Sequence, residues 1–459
     1  MGKYKNTYCN PIKIEDYPKG YHGNPHRSLA DPSVLYYDGK WYMYPSYEMA
    51  YVSEDFKTWN HVRISPNDLY WAPTIWVYKN KFYIMGRDPY MVYVGDNPLG
   101  PFEPIGELKY RNGEKLLAGD AMFFVDDDER VYLYWTIGPH SIMGVEMNPE
   151  TMIDAISDPV ELIHFNPEHE WEKFGARNQD NKVGWMEGSW MKKAGKRYFL
   201  IYSGCATQFG TYAMGAYYSD KGPLEGFIYQ ENSPICSEKH GLARGGGHGC
   251  VVDGPNDTMW IFYTIPVSYS NPYERMLGMD KIELDENGLL ERVRITDTPQ
   301  FCAACEDVKE NGTDTGLYPL TVSMPTKASS YIEGRNPIYA TDENLQTWWQ
   351  PKDNDTEKSL TINLGGEYKV SSMRVIWRDV NIDYEKGILP GAFQYKISLS
   401  MDGETFQTVV DKSKNGEDYL IDYETFDETE AKYARLEILG SPKGISAGVI
   451  DFTVFGVRA

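Results

Sequence analysis

A chain of 459 residues with 67 Asp and Glu against 45 Lys and Arg carries a formal charge of −22. Such a surface repels nucleic acid and anionic membranes and so excludes both as partners, while an uncharged polysaccharide meets no such repulsion. With 36 Tyr and 12 Trp and few helix-period segments, the composition points to an all-β protein with aromatic-lined surfaces, and the length to two or three domains.

Hairpin patterns recur along the first 290 residues. Residues 33–44 alternate around an Asp38-Gly39 turn, residues 74–85 around Lys79-Asn80, residues 121–134 around an acidic turn, and residues 189–202 around Ala194-Gly195. A fifth pattern covers residues 249–263. The residues leading into these hairpins are Asp31, Trp71, Asp120, Glu187 and His248, separated by 40, 49, 67 and 61 positions. That spacing fits four-stranded propeller blades, five in number, whose first strands line a common channel. The five lead-in residues then point into one funnel.

A polar, turn-rich stretch at 311–316 reads as a linker. Beyond it, short strand patterns at 360–364, 373–377, 395–399, 433–438 and 449–455 read as a β-sandwich, jelly-roll-like in type. The domains predicted are a propeller over 1–310 and a sandwich over 320–459. Six cysteines are few for this length. Cys302-Ala-Ala-Cys305 has no second pair to complete a zinc site, so free or locally bridged thiols are expected. No apolar run is long enough to span a bilayer, and the first residues lack the form of a signal peptide. Either cytoplasmic residence or a trimmed signal accounts for that.

The motifs Ala30-Asp31-Pro32 with its Asp38-Gly39 hairpin, Trp71-Ala72-Pro73, Gly119-Asp120, Glu187-Gly188 and Gly247-His248-Gly249 occur in this order at blade spacing. With them, the first 300 residues or so resemble glycoside hydrolase family 43, five-bladed β-propellers that cleave furanosides and pyranosides with inversion. One departure is Thr74, where the family often has an acid after Trp-Ala-Pro; it puts the transfer of detailed sugar contacts in doubt. The C-terminal region resembles the coagulation factor 5/8 type C (discoidin-like) domain, which includes family-32 carbohydrate-binding modules. It does so through Ala340-Thr341-Asp342 with Thr347-Trp348-Trp349, Ser400-Met401-Asp402-Gly403 and Val454-Phe455-Gly456.

The resemblance implies Asp31 as the base that activates water, Glu187 as the acid that protonates the leaving oxygen, and Asp120 as the group that keeps Glu187 protonated and orients substrate. Glu187 is therefore expected to have the most raised pKa of the three. A lone acid at a strand entry is ordinarily a turn cap or an arginine's partner; three at successive blade starts point to catalysis. The resemblance places His248 beside an ion or water cluster in the channel, often calcium, the other reading being a hydrogen-bonded core histidine. Trp71 is expected as a wall of the sugar pocket and Arg244 as a sugar or carboxylate contact, with blade packing and a solvent-facing loop as their alternatives. His22, His26 and Arg27 are read as loop residues near the funnel rim. In the second domain Asp342 and Thr347 match calcium-holding positions, with Asp451 as the nearby acid. Trp348 and Trp349 read as sandwich core. No cofactor is required for the chemistry itself.

The implied protein is a secreted or periplasmic exo-glycosidase acting on plant-type polysaccharide. α-L-Arabinofuranose is the first expectation for the sugar released, and β-D-xylose or β-D-galactose the next. A catalytically inactive propeller that binds glycan is the alternative. A levanase-like or sialidase-like propeller lacks its entry motif and full Asp-boxes here.

Overall fold

The structure, a computed structural model, describes residues 2–15, 27–66, 68–87, 90–268, 273–305 and 307–459. Its first part is a five-bladed β-propeller. Blades 1 to 4 are four-stranded antiparallel sheets beginning at Ser33–Tyr37, Thr74–Tyr78, Gly119–Val125 and Glu187–Ala194, and blade 5 has three strands, Gly247–Asp253, Met259–Pro266 and Arg275–Ile282. The five inner strands contact one another in a closed ring, so each blade begins at the axis.

The hairpins form where left-handed turn residues allow them. Asp38 and Gly39 have φ of 50° and 76°, and Lys79 and Asn80 have 46° and 61°, the paired positive values that match strand twist in a two-residue turn. Apolar side chains alternating along each strand then meet those of the next blade. Trp76 stacks on Phe123 at 3.9 Å between blades 2 and 3, and Phe56 packs against Trp260 at 4.5 Å between blades 1 and 5. Contacts of this kind add about 0.5–1.5 kcal/mol each beyond the area they bury.

Among the described residues, the N-terminal segment takes the place of a fourth strand on the outer edge of blade 5. Ile12 N–H donates to the Leu277 carbonyl (2.9 Å), and Asn10 exchanges hydrogen bonds with the Met279 backbone at 2.9 and 3.0 Å. Thr7–Tyr8 pairs with Gln300–Phe301. The 311–316 stretch is not a free linker. Phe301 N–H donates to the Thr313 carbonyl, and Thr315 Oγ1 to the Pro299 carbonyl, at 2.7 Å each, which folds it back on the propeller.

The second part is an antiparallel β-sandwich sheet of seven strands. The separate strands expected at 360–364 and 373–377 are one strand, Ser359–Val380, bent through a register shift between Asn363 and Tyr368. A local pattern marks where residues are apolar but not where a bulge carries a strand onward. Trp349 is buried in the core, whereas Trp348 is half-buried and lies under Arg335, whose guanidinium is 3.2 Å from the ring centroid. The two parts are docked by polar contacts. Lys13 pairs with Asp422 at 2.8 Å and Glu424 at 2.5 Å, and buried Arg374 donates to the carbonyls of Asn10 (3.1 Å) and Asp297 (2.8 Å).

Candidate active site

Each blade enters its inner strand through a residue in the left-handed region. The φ values are 59° at Asp31, 43° at Ala72, 47° at Asp120, 62° at Gly188 and 31° at His248. In blades 3, 4 and 5 the register shifts at that point, between Gly119 and Met122, Glu187 and Trp190, and Gly247 and Cys250. A bulge there turns a side chain out of the strand's alternation, here toward the axis. Holding non-glycine residues in this conformation costs on the order of 1–3 kcal/mol each, the kind of strain that packing sustains at functional sites.

At Gly249 the demand is absolute. A Cβ there would lie 1.7 Å from the Phe262 carbonyl oxygen, which is backbone of the neighbouring strand. Gly249→Ala is expected to destabilise the protein by more than about 4 kcal/mol and to abolish soluble expression. Gly39→Ala, with open space around it, is expected to express and to lose only about 1 kcal/mol to strain. Parallel expression and thermal melts check both.

Asp31, Asp120, Glu187 and His248 converge on the axis. Asp31 is buried; its Oδ1 lies 3.3 Å from His248 Nδ1 and 3.6 Å from Arg275 Nη1, and Ser46 Oγ donates to its Oδ2 at 2.7 Å. Thr264 Oγ1 ties two blade entries together, accepting from Asp31 N–H (2.9 Å) and donating to the His248 carbonyl (3.1 Å). The His248 ring also covers Gly188, where an added Cβ would meet it at 2.8 Å. This glycine lets the acid-bearing strand of blade 4 approach the histidine. Glu187 accepts from Tyr212 Oη at 2.6 Å and from Trp185 Nε1 at 3.0 Å. Asp120 Oδ1 faces Arg87 Nη1 at 4.0 Å.

These surroundings drive the two carboxyls apart. Burial and then the Asp120 charge raise Glu187 to about 7, against lowering by His248 and the Tyr212 hydrogen bond. Burial would raise Asp31 too, but Arg275, His248 and the Ser46 hydroxyl outweigh it and hold Asp31 below the usual carboxylate range. One carboxyl is kept ionised and the other kept protonated near neutral pH, which is the pairing that base-plus-acid chemistry needs.

The other sequence-read residues fall as follows. Trp71 is half-buried with its ring centroid 5.2 Å from Tyr47 and 6.5 Å from Tyr273, and its carbonyl accepts from Arg87 N–H at 3.0 Å. Arg244 is not on a solvent-facing loop; it is buried and donates to the carbonyls of Pro266 (3.2 Å) and Ser268 (3.1 Å). Arg27 is buried against Asp379 and Asp418 of the sandwich, while His22 and His26 lie outside the described residues. Asp342 accepts from Thr347 Oγ1 at 2.8 Å, and Asp451 is buried against Arg374 Nε at 3.3 Å, with a cation already beside it. Among the described residues no group of three or more His, Cys, Asp or Glu gathers as metal ligands, around His248 or in the sandwich. Cys302 and Cys305 are free thiols, both directed at the Asn6 carbonyl.

Sequence reading missed Arg275, Tyr212, Ser46, Thr264 and Arg87. None stands in a blade-entry motif. Each reaches the axis from a second or third strand or the loop beside it, and no local spacing marks that.

A propeller that brings three carboxyls together at its axis, two of them in opposite surroundings, holds the groups that glycosidic hydrolysis uses. The family model for glycosyl hydrolases family 43 matches residues 23–290, and the model for the F5/8 type C domain matches residues 325–449. The chain belongs to glycosyl hydrolases family 43. Among solved structures, a glycoside hydrolase is 20% identical with a TM-score of 0.50, over 93% of this chain and 97% of that one. A thermostable family-43 glycoside hydrolase is 21% identical with a TM-score of 0.52, over 64% and 99%. Xyloglucan PUL GH43B of Bacteroides ovatus is 13% identical with a TM-score of 0.51, over 99% and 100%. These likenesses are of fold. No curated protein matches the chain.

Proposed function

We propose that this glycoside hydrolase is an exo-acting, inverting enzyme that releases terminal sugars from plant-type polysaccharide outside the cytoplasm. α-L-Arabinofuranose is the first candidate sugar, and β-D-xylose and β-D-galactose are next. The observation that carries the reaction is the convergence of Asp31 and Glu187 on the axis in opposite surroundings. Asp31 lies against Arg275 and His248 and Glu187 against Tyr212 and Trp185, which favours the ionised form of the first and the protonated form of the second. Asp31 takes a proton from water as the water oxygen attacks the anomeric carbon. Glu187 gives its proton to the glycosidic oxygen as that bond breaks. Asp120 supplies the charge that keeps Glu187 protonated until then. Exchange with solvent then removes the proton from Asp31 and supplies one to Glu187. The acidic surface and the second, F5/8 type C domain support a neutral polymer as substrate.

The test is hydrolysis of 4-nitrophenyl α-L-arabinofuranoside, β-D-xyloside and β-D-galactoside, with arabinoxylan alongside, by wild type and Glu187→Gln. Release from one glycoside names the sugar, and release from arabinoxylan that is lost in the variant supports the proposal. Binding of polysaccharide without any release supports the inactive glycan-binding propeller instead.

Activity is expected to decline as pH rises through about 7, where Glu187 ionises. Tyr212 favours the ionised form by donating to it. Tyr212→Phe should therefore move the basic limb of kcat/KM upward by about half a unit to one unit. A limb that stays in place would remove Tyr212 from this role.

A further inference from the structure

The segments that carry Asp31 and Arg275 lie side by side. Ser28 and Arg275 form a parallel bridge, and Leu29 N–H donates to the Arg275 carbonyl at 2.9 Å. Both segments are gripped from the sandwich. Arg27, 1% exposed, donates through Nε to Asp418 Oδ1 at 3.1 Å and ion-pairs with Asp379 as well. Glu274, adjacent to Arg275, pairs with Arg378 at 3.5 Å. Arg378 and Asp379 are consecutive residues near the end of the long strand Ser359–Val380. One strand end of the second domain thus contacts the residue four before the candidate base and the residue one before the arginine that faces it.

We propose that the C-terminal sandwich positions the catalytic base: Asp379, Asp418 and Arg378 hold the 27–31 and 274–275 segments so that Asp31 stays against Arg275. The sandwich then acts on the chemistry. Arg27, Asp379, Asp418, Glu274 and Arg378 are positioning residues acting through the backbone. The groups facing Asp31 itself are Arg275, His248, Arg87 and Ser46 and, across the axis, Glu187 and Tyr212. If the clamp loosens, Asp31 moves away from Arg275 and loses the largest of the interactions that keep it ionised.

This inference rests on Asp31 being the base, and the experiment separates the two. The triple variant Arg27→Met/Asp379→Leu/Asp418→Leu removes these three buried charges together, the kind of replacement that folded proteins tolerate. The readout is the pH profile of kcat/KM on the aryl glycoside that wild type cleaves, or on arabinoxylan, together with Tm. The expected result is a folded protein whose kcat falls about tenfold or more, with the acid limb displaced upward. Arg378→Gln, at a partly exposed side chain, should displace the limb the same way by less, and Arg378→Lys should restore it. Lys13→Met breaks a docking ion pair outside these segments and should lower Tm without moving the limb. An unmoved acid limb in both the folded triple variant and Arg378→Gln overturns the proposal, and Arg378→Gln decides alone if the triple variant does not fold. Asp31→Asn with retained activity would instead overturn the reading of Asp31, whatever the clamp variants do.

Discussion

Replacing Glu187 by glutamine is expected to lower kcat by about 10²–10⁴-fold, the usual worth of a general acid, and to make the protein more stable at pH 8. The second effect follows from the direction of its shift. Glu187 is raised from 4.5 to about 7 in the folded chain, so the folded state holds a proton that the unfolded state has released. Stability therefore falls as pH climbs through that window, because the unfolded carboxyl ionises freely while burial and the Asp120 charge oppose ionisation in the folded site. Glutamine cannot ionise. We expect a gain of about 1–3 kcal/mol at pH 8 and almost none at pH 4. Thermal melts at both values check this, and equal stabilities at pH 8 would mean that Glu187 is not strained by its surroundings. The loss of rate should be smaller on substrates with a good leaving group, such as nitrophenolate, because that oxygen needs little protonation.

Asp31→Asn is expected to lose kcat to a similar degree, about 10²–10⁴-fold, with the opposite stability signature. Asp31 is lowered in the folded state by Arg275, His248 and Ser46 against its burial. Its contribution to stability is thus present above the unfolded value of 3.8 and is lost as pH falls below it. The asparagine variant should be about 1–3 kcal/mol less stable than wild type at pH 7, since buried Arg275 loses its facing charge. The two proteins should converge as pH drops through the acid range. Urea melts at pH 7 and pH 3 test this. A gain in stability at pH 7 would show that the Asp31 site is dominated by desolvation, as the Glu187 site is. Together the two variants distinguish a base held ionised from an acid held protonated without any substrate.

The residues legible in sequence are those whose job is local. Asp38-Gly39 and Lys79-Asn80 announce hairpins because only a few residue types accept paired positive φ, and Gly188 and Gly249 mark close approach of backbone. Asp31, Asp120, Glu187 and His248 stand beside these signals, so the blade entries could be found in order along the chain. The long strand Ser359–Val380 reads as two in sequence because a bulge leaves no periodic trace. Arg244 has the same residue type whether it faces a sugar or caps the carbonyls of Pro266 and Ser268, and sequence does not separate these. Arg27 looked like a loop residue because its partners, Asp379 and Asp418, lie more than 350 positions away.

From sequence alone, then, come the all-β class, the five-fold recurrence, the second domain and the three acids at blade starts. All of these rest on turn chemistry and alternation acting over a few residues. Which carboxyl favours its ionised form is set by groups that meet only in three dimensions. That depends on Arg275, Ser46 and Tyr212 arriving from separate segments of the chain. Protonation answers to charge and desolvation within a few ångströms in space, and nearness in space is what a linear order of residues does not record.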